Sequence, residues 1–321
     1  MISAKPQLRG ASPPITRAKQ SARSQRRQRT FYLFISPWLL GFIFLSVIPM
    51  VVGFLISLTN YDGLNLNKLA FVGMRNYGTV FKDPSAQYGF SRTLIWAAIN
   101  LPLWLAVSLL IALLVNVKLK GNGIFRTLLY LPAVIPPVAL VWTWKILLEQ
   151  NFGLVNGVLS LVRPGTAVPW LSTYAMLGLT SIALWNGLGF GMIVFLAGLQ
   201  DIPQELIDAA RVDGAGNFQV FFRVILPLIS PIIFFQLILG LISALQQFVL
   251  PMLAATSAST KIPARSVYLY MVHVYRTLFG TGRFGQGMAM LWLLIVVIGV
   301  LTVIVFWTQR FWVYSEVRGE E

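Results

Sequence analysis

The sequence predicts an all-α, polytopic membrane protein with six transmembrane helices and both termini cytoplasmic. Three observations carry that reading. Of 321 residues, 57% are hydrophobic and only 11% charged, which no soluble domain of ordinary composition matches. The charged residues leave six long apolar runs, each able to supply the roughly 20 residues that a spanning helix needs. Lys and Arg, which give the chain a net charge of +15, gather at the ends of those runs.

The first span is expected at 31–58 and the second from Thr93 to Val117. The third is expected from Thr127 to Leu148, interrupted only by Lys145 near its end. A fourth lies within the uncharged block Pro164 to Gln200, a fifth from Pro227 to Leu250, and a sixth from Phe284 to Gln309. Prolines at 37, 49, 102, 132, 136 and 137 predict kinked helices, which a bundle tolerates because neighbours satisfy the freed backbone groups.

Residues 1–30 hold eight Lys/Arg and no acid among much Ser, Gln and Pro, and read as a disordered basic tail. The apolar run after it is too long for a signal peptide, and "FLISLTNY" offers no small-residue cleavage site. The tail therefore precedes an uncleaved span. With it inside, fifteen Lys/Arg fall on the cytoplasmic side and ten outside, which sets the orientation. The organisation is then a tail (1–30), a first span (31–58), an outer segment (59–92), a five-helix core (93–310) with a cytoplasmic loop at 199–226, and a C-terminal tail (311–321). The basic residues sit at membrane margins and form no helical face, so no nucleic-acid partner is expected.

The cytoplasmic loop holds Asp201, Glu205, Asp208 and Asp213, four of the ten carboxylates, on the side that usually collects cations. Locally it reads as a helix begun by Asp201 as N-cap with Gln204 completing a capping box, and stopped by Gly214 in the left-handed conformation. Asn217 is then placed to cap a second helix, "FQVFFRVILP". Acid repels anionic lipid, so this helix suits a protein partner better than a membrane surface, with Ala209 and Ala210 offering a small, smooth face.

"ELIDAARVDGAGNFQVFFRVILPLISP", from Glu205 to Pro231, resembles the EAA loop of type I ABC importer permeases of the carbohydrate-uptake class. The matching positions include Pro203, Glu205, Leu206, Ala209, Ala210, Asp213, Gly214, Ala215, Leu226, Pro227 and Pro231; Asp208 stands where the family more often has Glu. "FVGMRNYGTVFKDP" resembles the outer segment of such members, and "ALWNGLGFGMIVFLAGLQDIP" their fourth-span signature. The outer loop "ATSASTKIPARSVYLYMV" departs from their Gly-Gly-Pro pattern. The resemblance implies a permease of the bacterial inner membrane, coupled to a separate ATPase dimer through Glu205, Asp208, Ala209, Ala210, Asp213 and Gly214. It also implies a second homologous permease as heterodimer partner, an extracytoplasmic solute-binding protein and a carbohydrate-like substrate.

The chain's own inventory agrees on one point. It has no G-x-x-x-x-G-K-[ST] phosphate loop, so ATP and Mg belong to the partner ATPase and the chain needs no cofactor. "GTGRFG" follows no strand and opens no βαβ unit. With no cysteine and the single His273, expected at a loop or helix end, neither a metal site nor a Cys/His nucleophile is available, and the chain is read as no enzyme. No carboxylate lies mid-span, which argues against proton-driven transport.

Uncharged polar groups in spans are costly against lipid and face the bundle or water. Gln236, Gly240, Ser243 and Gln247 recur at helical spacing on one stripe, while Trp185 and Asn186 sit mid-span beside Gly187, Gly189 and Gly191. Trp185, Asn186, Gln236, Ser243 and Gln247 are the candidate substrate path, helix packing being the competing reading for each. The uncharged core favours polyols and mono- or oligosaccharides over a strongly charged substrate, with outer Lys261 and Arg265 leaving a phosphorylated or acidic sugar as the alternative. Two other function classes stay open: a stand-alone channel or secondary carrier whose acidic helix binds a regulator, and a membrane scaffold.

Overall fold

A computed structural model describes residues 17–64, 67, 69–117, 121–254 and 263–314, with side chains from residue 27 onward. The chain divides into two compact units, Met1–Leu55 and Ile56–Glu321.

In the first unit, α1 (Arg17–Phe42) passes through a π-helical turn (Ile43–Val47) into α2 (Ile48–Ser57). Residues 17–30, expected as disordered tail, are helical; the earlier part of the tail lies outside the described residues. The reason is propensity: "RAKQSARSQRRQR" is rich in Ala, Arg, Lys and Gln, all strong helix formers, and the span beyond it supplies a nucleus.

The second unit is built from α3 (Arg75–Lys82), α4 (Pro84–Val115), α5 (Asn122–Val134), α6 (Pro137–Leu147), α7 (Leu154–Val162) and α8 (Ala175–Gln200). There follow α9 (Gln204–Val212), α10 (Asn217–Val220), a π-helical turn at Phe221–Ile225, α11 (Leu226–Leu228) and α12 (Ser230–Leu245). The last are α13 (Val249–Ala254), α14 (Tyr270–Tyr275) and α15 (Phe284–Trp312). The structure holds an isolated β-bridge between Thr59 and Phe71.

Four helical stretches are long and apolar enough to cross a membrane: Arg27–Ser57, Pro84–Val115, Ala175–Gln200 and Phe284–Trp312. Two bent pairs, Asn122–Val134 with Pro137–Leu147 and Asn217–Leu228 with Ser230–Leu245, bring the total to six when each pair counts as one span. The third span is thus not the single kinked helix expected at 127–148 but two helices meeting at 100°. Ile135 and Pro136 each precede a proline and are extended, with ψ of 128° and 137°, and neither Pro136 nor Pro137 can donate to the helical ladder. The fifth span turns by 64° at Ile229 and stops at Leu245, short of the expected Leu250. The second begins at Pro84 and not Thr93, because the Asp83 carboxylate caps it by accepting from the Ser85 N–H (2.8 Å) and the Ala86 N–H (3.4 Å).

The core gathers in two clusters. One spans α3, α4, α6, α8, α12, α13, α14 and α15, centred on Trp96, Leu140, Leu179, Ile182, Leu245, Leu269 and Met290. The smaller joins Ala112 and Val115 of α4 to Met192, Phe195 and Leu199 of α8 and to Ile229, at the end of the bundle that carries α9. Asp83 therefore marks the opposite end. Outer faces remain apolar, as at Leu110, Leu114, Val296, Val300 and Val303, the inverse of a soluble surface and suited to hydrocarbon.

The alternating glycines of α8 let its neighbours approach. A Cβ on Gly187 would sit 2.9 Å from Trp104 Nε1 of α4, and one on Gly189 would sit 2.8 Å from Leu129 O of α5. Successive glycines thus serve different partners, which explains the spacing in "GLGFG". A hub that the sequence did not suggest is Asn156, the buried residue of α7. Its amide donates to Gln150 O and Val168 O, both at 2.9 Å, while its Oδ1 accepts from Trp170 Nε1 at 2.9 Å.

Candidate coupling loop and solute path

The α8–α12 connection is a helix, a glycine turn and a second helix, as expected, but its caps differ. Asp201 closes α8 as its C-cap, and Pro203 holds the N-cap position of α9. Gln204 bonds Asp208 (3.3 Å), one turn on, and makes no capping box. The start of α9 is set by Pro203, whose extended ψ of 125° breaks the chain direction. Gly214 has φ +81°, and around it the Ala215 N–H donates to Ala210 O and the Gly214 N–H to Arg211 O, both at 3.0 Å. This is the Schellman geometry, which a Cβ at Gly214 would strain. The second helix is capped at Gly216, whose N–H donates to Gln219 Oε1 (3.0 Å), and Asn217 is its first residue.

Glu205, Asp208, Ala209, Asp213 and Gly214 are exposed and Ala210 half-buried, so five of the six residues assigned to coupling lie on open surface. Leu206, Val212 and Phe218 are exposed as well, which gives the acidic helix an apolar margin. Asp208 pairs loosely with Arg211 at 3.9 Å, a solvent-exposed contact worth little. Beneath the helix, Ile202, Ile225 and Leu226 pack on the smaller core cluster, so the loop rests directly on the ends of α4, α8 and α12.

Midway along the bundle, α4, α8 and α12 enclose a cavity of about 280 Å³. Its lining includes Trp96, Asn100 and Trp104 of α4, Asn186 and Phe190 of α8, and Ser243 and Gln247, with no charged side chain. Of the residues singled out from sequence, Asn186, Ser243 and Gln247 meet there. Asn186 donates its amide to Pro132 O (3.0 Å), beside the break between α5 and α6. Gln247 is not on the predicted stripe, because α12 ends before it; its Oε1 faces the Leu250 N–H (3.5 Å) at the start of α13.

Gln236 and Trp185 do not reach the cavity. Gln236 is fully buried, donates to Gly191 O (3.3 Å), and acts in packing α12 on α8. Trp185 points to the other side of α8, edge-on to Trp144 with ring centres 5.7 Å apart. Trp96 and Trp104, which flank Asn100 on α4, were missed. The four-residue spacing of the three places them on one stripe of α4, a signal that an aromatic search at helical period would have found. Trp104 Nε1 donates to Gly187 O (2.9 Å), whereas Trp96 Nε1 and Asn100 Nδ2 have no protein partner among the described residues.

Opposite the loop, His273 sits in the last turn of α14, the helix-end position expected as one of two. Its Nε2 is 3.0 Å from Asp83 Oδ2 and its Nδ1 is 2.8 Å from the Tyr268 hydroxyl, which also accepts from Arg276 (3.2 Å). Burial pushes the Asp83 carboxyl up, but the hydrogen bond from His273, the Ser85 N–H, the His273 charge and the Ala86 N–H together bring it below its ordinary value.

Against known proteins, the family described as "Binding-protein-dependent transport system inner membrane component" matches residues 26–313. The chain belongs to that family. A probable ABC transporter permease protein of Bacillus subtilis (strain 168), YesP, is 33% identical over 308 residues, 94% of this chain and 98% of that protein. The trehalose/maltose transport system permease protein MalF of Thermococcus litoralis is 33% identical over 225 residues, 70% of this chain and 76% of that protein. In fold, the chain is similar to a crystal structure of a bacterial ABC transporter involved in import of the acidic polysaccharide alginate, with a TM-score of 0.77 at 23% identity over 91% of this chain and 98% of that one. As a permease of this family the chain is a non-catalytic, multi-pass subunit of an ABC importer in the inner membrane.

Proposed function

We propose that this permease forms half of the translocation path for a carbohydrate-type solute and couples it to a partner ATPase through α9. The observation that carries the coupling half is the exposure of the acidic face of α9, rimmed by Leu206 and Val212, directly above the cluster that joins α4, α8 and α12. A partner seated on α9 pushes on the ends of the helices that wall the cavity. With this loop cytoplasmic, the ATPase dimer, which holds ATP and Mg, docks there; a second, homologous permease completes the path, and an extracytoplasmic binding protein delivers solute to the Asp83 end.

The solute half rests on the cavity. It offers aromatic surface from Trp96, Trp104 and Phe190, amides from Asn100, Asn186 and Gln247, and the Ser243 hydroxyl. Sugars present apolar C–H faces and many hydroxyls, which suit aromatic rings set beside amides and a hydroxyl. Relatives named for trehalose/maltose and for starch degradation products favour the same class. The test is uptake and solute-stimulated ATP hydrolysis in proteoliposomes holding the chain with its co-purified partners. Substitution of Ser243 or Asn100 by Leu lowers both while the assembly persists; uptake that ignores ATP returns the chain to the channel or carrier class.

A further inference from the structure

The end of the molecule opposite α9 carries a second cleft, about 310 Å³ in volume, between the first turn of α4 and the segment that leads into α14. Its lining is Pro84, Ser85, Tyr88, Pro263, Arg265 and Tyr268. Arg265 is the only charged residue of that lining, is exposed, and makes no ion pair among the described residues. Lys261, its partner in the sequence-based expectation, lies outside the described residues.

The backbone that carries Arg265 is held firmly. The Tyr88 hydroxyl donates to Arg265 O (3.0 Å), and Arg92 Nε donates to Ser266 O (2.8 Å), so α4 grips two successive carbonyls. The guanidinium itself lies 5.1 Å from the centre of the Tyr88 ring. A cation so placed has lost much of its conformational freedom before any ligand arrives. The neighbouring carboxylate, Asp83, is occupied by hydrogen bonds from His273 and from the start of α4. Guanidinium is the group that best matches the forked oxygens of carboxylate and phosphate.

We propose that this cleft is an entry station for a sugar bearing an anion, a carboxylate or a phosphate, with the charge held by Arg265 and the ring lodged among Tyr88, Tyr268 and the two prolines. A bare anion needs no such volume, which approaches the lower end of ligand-pocket sizes. Ser85 of the station and Trp96 of the central cavity are eleven residues apart on α4. That separation puts them within about 20° of the same helical face and roughly 16 Å apart along the axis. The station's place in a transport sequence rests on the importer reading; its occupancy does not.

Occupancy is read by saturation-transfer NMR on the full-length purified chain in detergent, with galacturonate, glucose 6-phosphate, galactose and inorganic phosphate as probes. At least one anionic sugar binds, and galactose and inorganic phosphate bind about tenfold more weakly or not at all. Arg265→Gln weakens the anionic sugar about tenfold and Arg265→Lys recovers part of the loss. The preferred probe distinguishes carboxylate from phosphate. Binding that Arg265→Gln leaves intact and Ser243→Leu removes assigns the signal to the central cavity and overturns the proposal. So does equal binding of galactose or inorganic phosphate, or no binding by any probe. Because the assay involves no ATPase, failure of the importer reading shows separately, as loss of ATP-dependent uptake.

Discussion

His273 Nε2 lies 3.0 Å from Asp83 Oδ2, joining α14 to the start of α4 across 190 residues of chain. A carboxylate only accepts, so the His273 Nε2–H donates to Asp83; Nδ1 pairs with the Tyr268 hydroxyl, whose oxygen accepts from Arg276. These contacts fix the frame in which both the entry cleft and the first turn of α4 sit.

Asp83 therefore does two jobs, and two substitutions separate them. Asp83→Asn keeps a capping oxygen and loses the charge facing His273, whereas Asp83→Ala loses both. The expected cost is about 1–2 kcal/mol for Ala and distinctly less for Asn, measured by thermal unfolding in detergent. The Asp83 carboxyl is held below its unfolded value, so its stabilisation is fully present above about pH 4 and is lost as pH falls through the folded-state value. The contribution of the Asp83 charge to the gap between wild type and Asp83→Asn accordingly disappears as pH falls through the folded-state value.

Asn156→Leu removes a donor to Gln150 O and Val168 O and an acceptor for Trp170 Nε1 in a buried site. Destabilisation of about 2–3 kcal/mol follows, with solute uptake per folded molecule unchanged. Loss of uptake without loss of stability would make Asn156 a functional residue.

Gly189→Ala tests the packing of α8, since its Cβ would meet the α5 backbone at Leu129 O and Tyr130 Cα, both 2.8 Å away. Backbone cannot swing aside as a side chain does, and a loss of about 1–3 kcal/mol in thermal stability is expected. Wild-type stability would mean that α5 stands further off.

Gly214→Val acts on the turn alone. Nothing lies within 4 Å of a Cβ there, so the penalty is the positive φ of 81°, about 1–2 kcal/mol for a side-chain-bearing residue. The expected result is a permease that assembles in the membrane but shows weakened ATP-dependent uptake; full uptake would remove Gly214 from the coupling turn.

These positions also show what a linear reading catches. The apolar runs announced six spans, because solvation by lipid is a property of composition over about 20 residues. Gly214 was legible because a left-handed turn has a local chemical signature. Asp201 misled for the same reason: as an N-cap residue type it suited a helix start, yet α8 continues to Gln200 and made it a C-cap. The break at Pro136 and Pro137 was visible as a kink but not as a 100° turn, whose size depends on what α5 and α6 pack against. Cavity residues were read in part. Ser243, Gln247 and Asn186 were found by polarity within apolar runs, while Trp96 and Trp104, apolar enough to pass as lipid-facing, were not. Gln236 shares the face of Gly240 and Ser243 but lies further along α12, against Gly191, while Trp185 is on the far side of α8; both are matters that only packing decides.

The central claim is that α9 transmits a partner's motion to the helices around the cavity, and its most direct measurement is affinity purification of the full chain from its native membrane in mild detergent, wild type beside Ala209→Arg. Ala209 is exposed, so the arginine adds bulk and charge to the docking face without disturbing the fold. The account predicts that an ATPase and a second permease accompany the wild-type chain, and that Ala209→Arg loses the ATPase while keeping the permease. A chain that comes out alone, or whose companions are indifferent to the arginine, would contradict it.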